Sequence, residues 1–141
     1  MLGGGGIGGA GNFVAGANPS GTGSNLNYLG KHVYAVSGSV QADNNNTTLL
    51  DFTTGGNSYI VAELQIGSDT GSADDYIYSV EFNGEVIMTT YAQRIDQGFP
   101  DYGFPFKFII PPQTRVTVKA DNQSSSTGRS TYATIIGRVH A

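Results

Sequence analysis

Asn83-Gly84 stands between two segments whose apolar residues recur at every second position, and this restricts the fold more than any other feature. Asp75 to Phe82 reads as one strand and Glu85 to Tyr91 as the next. A two-residue type I′ turn needs φ > 0 at both central residues, which Asn tolerates and Gly adopts freely. In the first segment Tyr76, Tyr78, Val80 and Phe82 share one face, and Ile77, Ser79 and Glu81 the other. That period of two belongs to a strand, whose successive side chains point to opposite sides of a sheet. An antiparallel β domain is therefore expected at the centre of the chain.

The same rhythm extends on both sides of the turn. Lys31 to Gln41 sets His32, Tyr34, Val36 and Val40 against Val33 and Ala35. Thr47 to Thr53 and Ser58 to Ile66 follow, separated by Thr54-Gly55-Gly56-Asn57. Beyond the central pair, Ala92 to Gly103 makes a long connection. Phe104 to Ile110, Thr114 to Asp121 and Ser130 to His140 then resume the alternation. Asn and Asp clusters and Pro111-Pro112-Gln113 supply the turns, since these residues bond their own backbone or fix φ. Eight strands with no helical period predict an all-β fold, best met by an eight-stranded antiparallel jelly-roll sandwich. An immunoglobulin-like sandwich and a small barrel are the alternatives.

Residues 1–28 are of a different kind. Ten of the chain's 21 glycines lie there, with Ile7, Phe13, Val14 and Leu26 as scattered apolar anchors. Ordering such a segment opposes a backbone entropy of about 1–2 kcal/mol per residue with little apolar surface to offset it. It reads either as a flexible tail or as an extended arm that is ordered beneath a neighbouring subunit, where Gly permits close backbone approach. The expected organisation is a Gly-rich arm over 1–28 and one sandwich over 29–141. No strand precedes the glycines and no helix follows them, so a phosphate-binding loop is not indicated.

Charge and composition narrow the function. A net charge of −4 without a basic run disfavours direct nucleic-acid binding through phosphates. No apolar run reaches the length of a membrane span, and the start of the chain lacks a signal peptide's pattern. With no Cys there are no disulfides or thiolate metal sites.

Candidate chemistry is sparse. His32 and His140 lie in the first and last strands, which a jelly roll could bring together as a pair. Asp69, Asp74 and Asp75 flank a small polar loop and could offer oxygens to calcium, although the spacing is not that of an EF-hand. Glu63, Glu81 and Glu85 leave a glycosidase-type carboxylate pair open. Asn45, Asn46 and Asn122 match the N-glycan acceptor pattern. No nucleophile elbow or Ser-His-Asp set can be assembled, and neither catalytic nor cofactor-binding nor metal-binding residues are assigned. Phe99 and Tyr102, on the long connection, read as aromatics folded over the sandwich or placed at a subunit contact.

Thr47-Thr48-Leu49-Leu50-Asp51-Phe52-Thr53-Thr54-Gly55, the Glu81-Phe82-Asn83-Gly84 turn, Phe108 to Val116 and the final Ile136-Gly137-Arg138-Val139 resemble small single-jelly-roll virion proteins. These are the pentons and the minor capsid or decoration proteins of double-stranded DNA viruses and phages. The resemblance spans about Lys31 to Ala141, and a Gly-rich arm ahead of the sandwich is similar to the way capsid subunits reach their neighbours. It implies a non-enzymatic structural role in the virion, as a penton-like vertex subunit of an icosahedral capsid. A cyclic homopentamer is expected, contacting neighbouring capsid proteins, with Ile7, Phe13, Val14, Phe99 and Tyr102 at subunit contacts. The alternative is a carbohydrate- or receptor-binding sandwich that stacks Tyr102 or Tyr132 on sugars.

Overall fold

Strand pairing begins at the Asn83-Gly84 turn. In the computed structural model, which describes residues 26–68, 75–94, 100–101, 105–124 and 129–140, both turn residues have positive φ, 52° and 88°. Strand β6 (Tyr76–Phe82) returns as β7 (Glu85–Arg94), with Phe82 opposite Glu85, so the loop holds two residues. The turn is also tied sideways. Asn83 Oδ1 accepts from the Arg115 amide at 2.9 Å, and the Asn83 amide donates to the Arg115 carbonyl at 2.8 Å. Gly84→Val is expected to cost on the order of 1–2 kcal/mol in equilibrium denaturation, because a β-branched residue is strained at this φ. Asn83→Asp keeps both the turn and the acceptor and is expected to be near neutral.

The other strands are β1 (Leu26–Leu29), β2 (His32–Val36), β3 (Val40–Ala42), β4 (Thr47–Thr53), β5 (Tyr59–Ser68), β8 (Pro100–Asp101), β9 (Phe106–Ile110), β10 (Arg115–Asn122) and β11 (Arg129–His140). All pairings are antiparallel. A six-stranded sheet runs β9-β5-β11-β2-β1, with β3 also on β11, and a five-stranded sheet runs β4-β10-β6-β7-β8. No helix occurs among the described residues. The pairing is nested around the central turn: β6 with β7, β5 with β9, β4 with β10 and β2 with β11. These four pairings fall alternately in the two sheets of the sandwich.

The two sheets enclose a single apolar interior. Val33, Ala35, Ile60, Ala62, Leu64, Ala133 and Ile135 enter it from one sheet, and Leu50, Phe52, Tyr76, Tyr78, Val80, Val116 and Val118 from the other. Phe82 of β6 and Phe108 of β9 meet across the layers with ring centroids 6.0 Å apart. Leu49 and Leu50 are adjacent in sequence yet both buried, which simple alternation forbids. A bulge resolves this: Val118 pairs with Leu50 and Lys119 with Thr48, so Leu49 is the extra residue.

Several sequence boundaries move, and more strands form than the eight expected: β7 runs on to Arg94, and β8 lies inside the expected 92–103 connection and pairs with β7. The stretch Lys31 to Gln41 is not one strand, because Ser37 and Gly38 interrupt it. Gly38 has φ 68°, and the Ser37 hydroxyl accepts from the Ala133 amide at 2.9 Å in place of a ladder bond. The pieces on either side, β2 and β3, both lie against β11. Leu26, Asn27 and Tyr28, read as the end of the arm, belong to β1, and Leu26 is buried in the core. The remainder of the arm, including Ile7, Phe13 and Val14, lies outside the described residues.

Tyr28 gives that boundary a titratable marker. Burial pushes its phenol up to about 12, partly opposed by a hydrogen bond from the Gly55 backbone. The unfolded chain ionises this group first, near its ordinary value of about 10, so stability falls as pH rises from there towards 12. Tyr28→Phe is expected to lose less stability than the native chain between pH 9 and pH 11.5. Denaturant midpoints of the two chains at both pH values check this.

Candidate functional site

Each sheet turns one face to solvent, and the two faces differ in chemistry. On the five-stranded sheet, Thr117 of β10 stands opposite Asp51 of β4 on one side and Glu81 of β6 on the other. Arg115 and Lys119 lie two residues before and after Thr117 on the same strand, on its outward side. The Arg115 guanidinium binds Asp51 in a bidentate fork, Nε to Oδ1 at 2.9 Å and a terminal nitrogen to Oδ2 at 2.6 Å. Lys119 Nζ lies 2.8 Å from Glu81 Oε2. With Thr48, Asn83 and Gly84 these residues line an open basin of about 510 Å³.

The electrostatics of the basin bear on its chemistry. The Arg115 hydrogen bond holds the Asp51 carboxyl below the usual carboxylate range, against a smaller opposing effect of burial. A glycosidase acid needs the reverse, a carboxyl raised enough to carry a proton at neutral pH. Glu81 faces Lys119. Glu63 is on the outer face of the other sheet, and Glu85 is at the end of the central hairpin. The three glutamates named by the sequence therefore do not converge.

The six-stranded sheet presents an apolar outer face. Tyr34 of β2 is directly opposite Ile136 of β11, and Val61 of β5 is directly opposite Ile109 of β9. Ile136 and Val61 are diagonal neighbours, since Ile136 pairs with Glu63 and Arg138 with Val61. A stripe of four large apolar side chains thus crosses four strands, each 38–57% exposed. Alternation shows these residues to lie opposite the core positions, but the strand register needed to align them is not readable from the sequence.

His32 and His140 do share this face. Arg138 pairs with His32, so His140 is the diagonal neighbour of His32, and its ring stacks on Tyr59 with centroids 5.3 Å apart. The expected proximity of first and last strands is realised, yet no three His, Cys, Asp or Glu side chains gather among the described residues as a metal site needs. Asp75 is described, whereas Asp69 and Asp74 lie outside the described residues. Asn45 and Asn46 are exposed in the 43–46 turn. Asn122 is fully buried, its Oδ1 accepting from the Ser124 amide at 3.0 Å, which leaves no room there for a glycan. Tyr132 is partly exposed, and its ring lies across Gly67 on β5. Phe99 and Tyr102 lie outside the described residues. No helix among the described residues is long and apolar enough to cross a membrane.

No protein-family model and no curated protein sequence matches this chain.

Proposed function

We propose that the sandwich is a jelly roll and that the chain is a structural subunit of an icosahedral virus capsid. In this reading it is a penton-like vertex protein, forms a homopentamer and is anchored to neighbouring capsid proteins by its N-terminal arm. The observation that carries the reading is the nested pairing of β2 with β11, β4 with β10, β5 with β9 and β6 with β7. Nested pairing across two sheets supports a jelly roll, an arrangement that virus capsid proteins use, as do lectins and cupins. The surface chemistry agrees with it. Only 13% of residues are charged, about half the roughly 25% of an average soluble domain. Among the described residues the ion pairs Arg115–Asp51 and Lys119–Glu81 lie on one face, and an apolar stripe lies on the other.

The arm supplies the test. A chain beginning at Leu26 retains every described strand, so it is expected to melt within a few degrees of the full chain. It is expected to fail to enter shells formed by its neighbours. Incorporation of both forms into particles, followed by gradient sedimentation, reads the difference. Equal incorporation of the truncated chain would overturn the anchoring role.

A further inference from the structure

We infer that the outer face of the six-stranded sheet is a self-complementary docking surface for a second copy of this chain, paired about a two-fold axis that runs along the Tyr34–Ile136–Val61–Ile109 stripe. This stands on strand register and charge, and does not rest on the capsid reading.

The argument starts from four residues at the centre of the face. Ile136 pairs with Glu63 and Arg138 pairs with Val61, so these four side chains occupy the corners of one rectangle. One diagonal of the rectangle, Ile136 to Val61, is apolar and lies on the stripe. The other, Arg138 to Glu63, joins opposite charges across it. Directly opposed strand residues are about 4.5–5.5 Å apart and diagonal ones about 7–8 Å. A half-turn about the apolar diagonal lays the stripe of one copy on the stripe of its partner. The same half-turn exchanges the ends of the charged diagonal. Arg138 then comes within side-chain reach of the partner's Glu63, and Glu63 of the partner's Arg138. Because the operation is two-fold, one patch satisfies both copies, which is the condition for a closed isologous pair.

Two further observations favour a copy of this chain as the occupant. On the five-stranded sheet the diagonal charges close on each other within the subunit, as Arg115–Asp51 and Lys119–Glu81. On the six-stranded sheet Arg138, Lys107 and Glu63 make no ion pair among the described residues, although Lys107 is directly opposite Glu63. Glu63 instead accepts a 3.3 Å hydrogen bond from Gln65. The size is also sufficient. The strands of this sheet total 39 residues, which at about 4.8 by 3.3 Å each make a face of roughly 600 Å², the lower end of the roughly 600–1,000 Å² per partner of a specific interface. The Ile136–Val61 diagonal stands roughly 35° from the strands, so the half-turn crosses the strands of the two sheets at about 70°, nearer the orthogonal class of face-to-face packing than the aligned one.

Charge exchange between two variants tests the pairing. Arg138→Glu and Glu63→Arg both act on the solvent side of the sheet, and circular dichroism should show each variant folded. Either substitution sets like charges against each other twice per pair, so each variant alone is expected to lose at least about tenfold in association. At a concentration where the native chain is paired, sedimentation equilibrium should give each variant half the native mass. Mixing the two variants in equal amounts is expected to restore the native mass, because each substituted side chain then faces an opposite charge on the other chain. An exchange confined within one subunit could not produce that rescue. Variants that keep the native mass, or a mixture that stays at half of it, would overturn the proposal. A five-fold ring would survive these substitutions, so its fate is read separately, from the mass that remains once the faces part.

Discussion

Gly137→Ala is expected to destabilise the sandwich by about 1–3 kcal/mol, among the largest losses available from adding one methyl group. Gly137 lies on the inward side of β11, between Val33 of β2 and Ala62 of β5. A Cβ there would sit 2.6 Å from Ile60 Cγ2, 2.9 Å from the Val61 carbonyl oxygen and 3.0 Å from Val33 Cγ2. The side-chain methyls can give a little, but the Val61 carbonyl belongs to the neighbouring strand's backbone. Moving it disturbs the ladder between β11 and β5 in the middle of the six-stranded sheet. Gly56 provides the control, since a Cβ there meets nothing within 4 Å and its φ is not positive. Gly56→Ala is expected to be neutral, or stabilising by up to about 1 kcal/mol through the unfolded chain. Urea denaturation of the two variants separates the effects, and equal midpoints would contradict the close packing at Gly137.

Thr54→Val is expected to cost about 1–3 kcal/mol while Thr54→Ser costs clearly less. Thr54 closes the end of the sandwich where the 54–57 turn meets the Pro111-Pro112-Gln113 turn. Its hydroxyl donates to the Pro111 carbonyl at 2.7 Å and accepts from the Thr114 amide at 2.9 Å. The Thr54 amide in turn donates to the Thr114 carbonyl at 2.9 Å, and the Gln113 amide to the Gly55 carbonyl at 3.0 Å. Gln113 has φ 53°, so the turn needs these bonds to hold its shape. Valine matches threonine in volume but leaves the Thr114 amide buried without its acceptor, and such a group costs its full desolvation. Serine keeps both bonds and loses one methyl. Chemical denaturation of the three chains reads the order, and a valine variant as stable as the serine one would contradict the role of the hydroxyl.

The strands were largely legible and the faces were not. Thr47–Thr53 is a strand with the bounds its β-branched residues suggest, and Asn83-Gly84 makes the two-residue turn its dipeptide encodes. Those features are local, set by φ and by alternation. Ser37-Gly38 was hidden because its break depends on the Ser37 hydroxyl reaching Ala133 across the sheet. The bulge that buries both Leu49 and Leu50 was hidden for the same reason, since it exists only relative to β10. The Arg115–Asp51 fork spans 64 residues of sequence and the Tyr34–Ile136 contact about a hundred, so neither leaves a local trace. The carboxylates and histidines that sequence singled out were chosen for their chemistry rather than their placement. The pairing sets Glu63 on a different sheet from Glu81 and Glu85, and brings His32 and His140 onto one face.

Native mass spectrometry of the full chain tests the assembly claim most directly. A penton-like subunit is expected to give complexes whose mass is a multiple of five times the 14.7 kDa chain, five copies for one ring and ten where faces pair. A single chain, or a stable complex whose copy number is not a multiple of five, would contradict it.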